Sequence, residues 1–140
     1  MAPFVIDTNV VSELTRPAPQ SAVIAFLNQN SDLFLSVIVF HELEFGIQCA
    51  RDTNRRSKLQ AFAIMLRNRF EGRIIDVDFP IAETAGRLRA VGKAKGHPLA
   101  ELDAFIAATA MVKSATLVTR NTKDFARLEI SLLNPWEMPA

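Results

Sequence analysis

LAELDAFIAATAMVKSATLVT, residues 99–119, decides the fold class. Its first part, LAELDAFIAATAMVKSA (99–115), has helical spacing of apolar positions and is the most apolar helix of the chain. TLVT (116–119) follows as a short strand without polar alternation, as expected where both faces of a sheet are covered. Working outward, FVI (4–6), LFL (33–35), RIIDV (73–77) and the segment ISLLNP (130–135) read as further short strands. Between them lie the helical segments NVVSEL (9–14), PQSAVIAFLNQN (19–30), VIVFHELEFGIQCA (37–50), TNRRSKLQAFAIMLRNRF (53–70) and PIAETAGRLRAVGKAKG (80–96). Pro17 stops the first of these, Ser36 is placed to cap the third, and Pro80 and Gly96 bracket the last. Strands separated by helices predict an α/β fold with a short central parallel sheet flanked by helices, in one domain over residues 1–140.

Composition narrows the class. A chain of 140 residues, 49% hydrophobic and 22% charged, builds a single globular core without staples. The formal net charge of +1 gives no whole-protein attraction for nucleic acid, so any such binding must use local patches. Cys49 has no partner for an internal disulfide and is expected as a buried, inert thiol. No leader pattern opens the chain and no apolar run approaches a membrane span, so a soluble cytoplasmic protein is expected.

Four acidic residues stand out against this apolar background: Asp7, Glu42, Asp103 and Asp124. Asp7 ends the first strand, and Asp103 shares a helix face with Leu99, Ile106 and Ala110. No Lys or Arg lies within four residues of either. A lone buried carboxylate is costly, and such groups are paired or bound to metal. Glu42 falls at the edge of a stripe of Val39, Leu43, Gly46 and Ile47, with Gly46 leaving room beside it. Asp7, and the pair Asn121 and Asp124, follow strands directly, on the rim where open parallel sheets bind ligands. An all-oxygen donor set without His or Cys spacing suits Mg²⁺ or Mn²⁺ rather than zinc, and points to phosphodiester hydrolysis. His41 and His97 read as solvated. Arg51, Arg55, Arg56 and Lys58 read first as an exposed helix start and second as phosphate contacts, and Trp136 as a packing anchor for the C-terminus.

DTN (7–9), ELEFG (42–46), LDAFIAATA (102–110) and TRNTKDF (119–125), with SELTRP near the start and LLNPW near the end, resemble the PIN domain over nearly the whole chain. Within it they resemble the VapC toxins, in the branch that includes the FitB-type proteins. The resemblance implies a magnesium-dependent endoribonuclease, with Mn²⁺ as a possible substitute, that is the toxic half of a type II toxin–antitoxin pair. It implies Asp7 and Asp103 as metal ligands and Glu42 as the third acid. The fourth position is either Asp124 or the non-acidic Asn121. Thr8, Asn9, Thr119 and Asn121 are implied to orient the carboxylates. The implied partners are a small VapB/FitA-like antitoxin, operator DNA through that antitoxin only, RNA as substrate, and a second copy of the chain. Single-stranded RNA is favoured because its exposed backbone reaches a recessed site, with Arg51, Arg55, Arg56, Arg87, Arg89, Lys93 and Lys95 lining the approach. The alternative is a non-catalytic interaction module of the same fold, against which stands the retention of Asp7, Glu42 and Asp103 together. A phospho-acceptor receiver domain fits less well, lacking neighbouring acids at the first strand and a Lys after the late strand.

Overall fold

A computed structural model describes residues 3–139. Five parallel strands form one sheet in the order β3-β2-β1-β4-β5. They are β1 (Phe4–Ile6), β2 (Leu33–Ser36), β3 (Ile74–Ile75), β4 (Thr116–Val118) and β5 (Leu132–Leu133). The helices are α1 (Thr8–Ser12), α2 (Ser21–Gln29), α3 (Val37–Cys49), α4 (Thr53–Arg69), α5 (Phe79–Ala94), α6 (Glu101–Val112) and α7 (Thr122–Phe125). Short 3₁₀ turns at Glu13–Thr15 and Pro135–Glu137 complete the trace. The α/β reading of the sequence holds, with the last strand reduced to Leu132–Leu133 and the third to Ile74–Ile75.

β1 lies in the middle, and the chain first builds outward through β2 and β3, then returns to β4 on its other side. That reversal makes the β1–β4 boundary the switch point where a crevice opens at the carboxyl ends of the strands. The register Phe4↔Thr116, Val5↔Leu117 and Ile6↔Val118 brings Asp7 and Thr119, each one residue further on, side by side. A hydrogen bond from Asp7 N to Val118 O at 2.9 Å continues the ladder to this point.

α6 explains its own composition. Ile106, Ala107 and Ala110 join the main core around the sheet, while Ala104 and Ala108 pack with Ile81 and Ala85 of α5. The helix is buried on two sides, and its alanines allow α5 to approach closely. Enlarging Ala104 or Ala108 to Leu would overpack this contact, at a typical cost of about 1–3 kcal/mol.

α3 departs from the expected stripe. Ser36 caps it as expected, accepting from Ile38 N at 3.1 Å, and Val39 and Ile47 are buried. Gly46 is exposed, however, with no atom within 4 Å of where a Cβ would stand. Burial follows the i, i+4 row Val39–Leu43–Ile47, which drifts around the helix as packing passes from the sheet to α4. The same drift leaves Cys49 exposed rather than buried. The open space expected beside Glu42 is nonetheless present.

Candidate active site

Asp7 is both the last residue beyond β1 and the cap of α1. Its Oδ1 accepts from Thr8 N at 2.8 Å, and its Oδ2 from Thr119 Oγ1 at 2.9 Å and Asn9 Nδ2 at 3.3 Å. Thr119 is fully buried. Its hydroxyl donates to Asp7 and accepts from Asn9 Nδ2 at 3.3 Å and Asn121 N at 3.1 Å. A hydroxyl has one proton and two lone pairs, so these three bonds exhaust it and aim its proton at Asp7. Asn9 Oδ1 in turn accepts from Arg120 N at 3.2 Å. The DTN and TRN segments, separated by more than a hundred residues, thus lock one carboxylate in a single orientation.

Glu42, half-buried on α3, accepts from Thr8 Oγ1 at 2.6 Å. Asp103 sits in the first turn of α6, half-buried and without a side-chain hydrogen-bond partner among the described residues. Asp124, on α7, is exposed. Burial pushes the Asp7 carboxyl above its ordinary value, against the lowering effect of the Thr119, Thr8 and Asn9 hydrogen bonds, and Asp124 adds repulsion. Burial raises Glu42 also, opposed by Thr8 and assisted by Asp7. Asp103 rises to about 6, first by desolvation and then by repulsion from Asp7, Glu42 and Asp124. Asp7 and Asp103 are thus each within electrostatic reach of the other three acids, and the group gathers around these two.

Among the described residues the ion pairs are Arg16–Glu13 and Arg87–Glu83, so none of these four acids is in an ion pair, although His41 lowers Glu42 through its charge. Nor do any three acidic, His or Cys side chains among the described residues stand close enough to cage an ion unaided. An oxygen-only set with unrelieved repulsion, too open to cage a bare ion, fits a hard cation that keeps its own waters. Mg²⁺ behaves so, bound through one or two carboxylates.

The supporting residues divide by how they act. Thr8, Asn9 and Thr119 bond the carboxylates through side chains, whereas Asn121 acts only through its backbone N–H on Thr119. His41 and His97 are exposed. Arg56 is not a free cation: its guanidinium caps the end of α3 by donating to Ile47 O at 3.1 Å and Gln48 O at 3.0 Å. Arg87 pairs with Glu83 at 3.2 Å. Trp136 is half-buried against the core with the Arg120 guanidinium 4.9 Å over its ring, as its anchoring role required. Sequence reading missed two groups. Glu13 is a buried carboxylate, paired with Arg16 at 3.1 Å and accepting from Gln20 N at 2.9 Å. Lys123 and Arg127 line a cleft with Asp103 and Asp124, and their spacing of four residues astride Asp124 was the available signal.

Residues 4–130 match the PIN domain family. The chain is 34% identical to the toxin FitB of Neisseria gonorrhoeae over 136 residues, covering 95% of this chain and 98% of that protein. It is 33% identical to the VapC ribonuclease Y4jK of Sinorhizobium fredii, covering 96% of this chain and 98% of that protein. Its fold superposes on a chain in the structure of FitAB bound to an IR36 DNA fragment with a TM-score of 0.86, at 32% identity and 98% coverage of both chains.

Proposed function

The chain belongs to the PIN-domain family, in the company of FitB and VapC proteins, and from that premise we propose that it is a divalent-metal-dependent endoribonuclease, the toxin of a VapBC-type pair. Residues 1–140 act as one PIN domain in this reading. The observation that carries it is the set of repelling carboxylates at the β1–β4 switch point, held by neutral donors and in no ion pair among the described residues. Asp7 and Asp103 are the metal ligands, Glu42 completes the acidic pocket, and Asp124 supplies the fourth charge. Mg²⁺ is the natural ion, and Mn²⁺ a substitute. When bound, such an ion neutralises charge on the phosphate and lowers the pKa of a nearby water.

The protein's own contribution is preorganisation. Three donors fix Asp7, so it loses no orientation freedom when an ion or substrate arrives. Thr8 joins two acids, capping with its backbone N–H and holding Glu42 with its hydroxyl. Asp103, half-buried in the first turn of α6, makes no competing hydrogen bond and can hold the ion without breaking one. In the reaction, water oxygen bonds to phosphorus, the bond to the leaving sugar oxygen breaks, and the proton released by water ends on that sugar oxygen.

A small antitoxin is the partner, contacting operator DNA on the toxin's behalf, as the FitAB–DNA structure's composition suggests by similarity. Residual negative charge in the pocket suits an inserted Arg, whose guanidinium binds carboxylates bidentately. Exposed Phe45, Ile64 and Phe79 offer apolar surface for the antitoxin or a second copy of the chain, and a homodimer is the expected state. No helix among the described residues is long and apolar enough to cross a membrane, in keeping with work in the cytoplasm. The test is incubation of purified protein with mixed cellular RNA, with and without Mg²⁺. Cleavage only with the ion is expected, and intact RNA under both conditions overturns the reading.

A further inference from the structure

Beside the acids lies a cleft of about 590 Å³, lined by Asp103 and Asp124 together with Lys95, Lys123 and Arg127 and the apolar Leu88, Leu99 and Leu128. We propose that this cleft binds the nucleotide next to the scissile phosphate of single-stranded RNA, with its base on the leucines and its phosphate on the three cations. The proposal rests on the ribonuclease reading and adds a substrate subsite to it.

Charge and shape carry the argument. Five of the 16 Lys and Arg have structural tasks: Arg16 and Arg87 pair with acids, and Arg56, Arg69 and Arg73 hold backbone carbonyls; of the remainder, three line this cleft. Lys95, Lys123 and Arg127 make neither an ion pair nor a side-chain hydrogen bond among the described residues, although carboxylates share their cleft. Cations left over beside a phosphodiester-cleaving centre are suited to a second phosphate. The volume is that of a site for a small organic molecule, and the apolar floor suits a base face.

The wall is also built in advance. His97 N donates to Gly92 O at 2.9 Å, and Gly96 turns the chain at a φ of +74°. A Cβ on Gly92 would stand 2.7 Å from His97 O, so only glycine lets this turn seat against α5. The cleft therefore needs no ordering of its α5–α6 wall on binding, which reduces the entropic cost.

The experiment measures binding without cleavage, using full-length protein in EDTA and a short labelled single-stranded oligoribonucleotide. Lys123→Ala/Arg127→Ala is expected to weaken binding on the order of ten- to hundredfold and to lower the salt slope by about 1.4, at about 0.7 per phosphate contact on a single strand. Arg67→Ala/Lys113→Ala removes the same charge from α4 and the far end of α6, and is expected to cost less than about threefold. Substituting abasic nucleotides one at a time should reveal one position where wild-type affinity falls about fivefold, and Leu128→Ala should flatten that profile by double-mutant logic. Equal effects of the two double variants, or a flat abasic profile in the wild type, overturn the proposal. So does a loss of antitoxin affinity in Lys123→Ala/Arg127→Ala with RNA affinity intact, which would assign the cleft to the partner. If wild-type protein binds in the expected pattern yet cleaves nothing with Mg²⁺, the subsite stands and the nuclease reading fails.

Discussion

Asp7 and Glu13 flank the first helix, and both are almost sealed from solvent, at 6% and 4% exposure, yet only Glu13 has been given a cation. Glu13 pairs with Arg16 and accepts Gln20 N, which ties the 13–20 turn to the helix that follows. Asp7 receives only neutral donors from Thr8, Asn9 and Thr119, and other acids act on it and on Asp103 from nearby. The difference teaches how to tell a structural carboxylate from a working one. Where charge is neutralised within the fold, nothing further is wanted. Where it is oriented but left uncompensated, folding has given up stability, as the proposed cation site requires.

Four substitutions or conditions would break or sharpen that contrast. The largest effect is expected from Asp7→Asn, and equally from Asp103→Asn. Losing several kcal/mol of charge stabilisation corresponds to a fall on the order of 10³ in Mg²⁺-dependent RNA cleavage. Thermal unfolding of metal-free Asp103→Asn should show unchanged or raised stability, since the isostere removes a repelled charge, whereas Asp7→Asn turns an amide N–H₂ toward the Asn9 and Thr119 donors and should lose some. Full cleavage by either variant would remove that residue from the site.

Next comes the metal itself. Mg²⁺ at a hundredfold excess over its dissociation constant should stabilise the wild type by about 2.7 kcal/mol, and Asp7→Asn/Asp103→Asn hardly at all. Calorimetric scans with and without the ion decide this, and equal shifts in both proteins would place the ions elsewhere.

Glu13→Ala should behave in the opposite way to Asp103→Asn. It loses a charge-assisted hydrogen bond and an ion pair to a largely exposed Arg16, for a destabilisation of about 2 kcal/mol. Cleavage per folded molecule should stay near the wild-type rate. Denaturant titration paired with the RNA assay checks both halves, and a stable but inactive Glu13→Ala would erase the distinction drawn here.

The smallest effect is the pH dependence of the metal-free protein. Asp103 is raised from 3.8 to about 6 in the folded chain, so between those values the folded state holds more protons than the unfolded one. Stability conferred by the protonated group is full below the unfolded value and is lost as pH rises toward the folded one. Because Asp103 is half-exposed, solvent screening limits the loss to about 1 kcal/mol, a few degrees of melting temperature. Asp103→Asn should therefore gain on the wild type as pH rises from 4 to 7 in EDTA. A constant difference would mean that Asp103 is not repelled as described.

Much of this contrast was legible in the sequence. The apolar strands, the two-sided α6 and the capping Ser36 follow from local chemistry, because periodicity and caps act over a few residues. Asp7 and Asp103 were conspicuous because each broke an apolar pattern with no basic residue near it in sequence. Glu13 was missed for the complementary reason: Arg16 stands one turn away, and nothing local announced that the 13–20 turn would bury the pair's carboxylate. Gly46 and Cys49 were misplaced because α3 changes its packing partner along its length, a fact about α4 and not about α3.

The sequence by itself determined which residue types were present, the alternation that requires a parallel sheet, and that several acids had no basic neighbour along the chain. Only the tertiary structure decided that Thr119 spends its one proton on Asp7, that Arg56 caps a helix instead of meeting substrate, and that Lys95, Lys123 and Arg127 share a cleft with Asp103 and Asp124. The reason is one of range. Periodicity, propensity and capping are settled within a turn or two of chain. The strand order β3-β2-β1-β4-β5, which joins residue 7 to residue 119, is set by how all the apolar faces are covered at once.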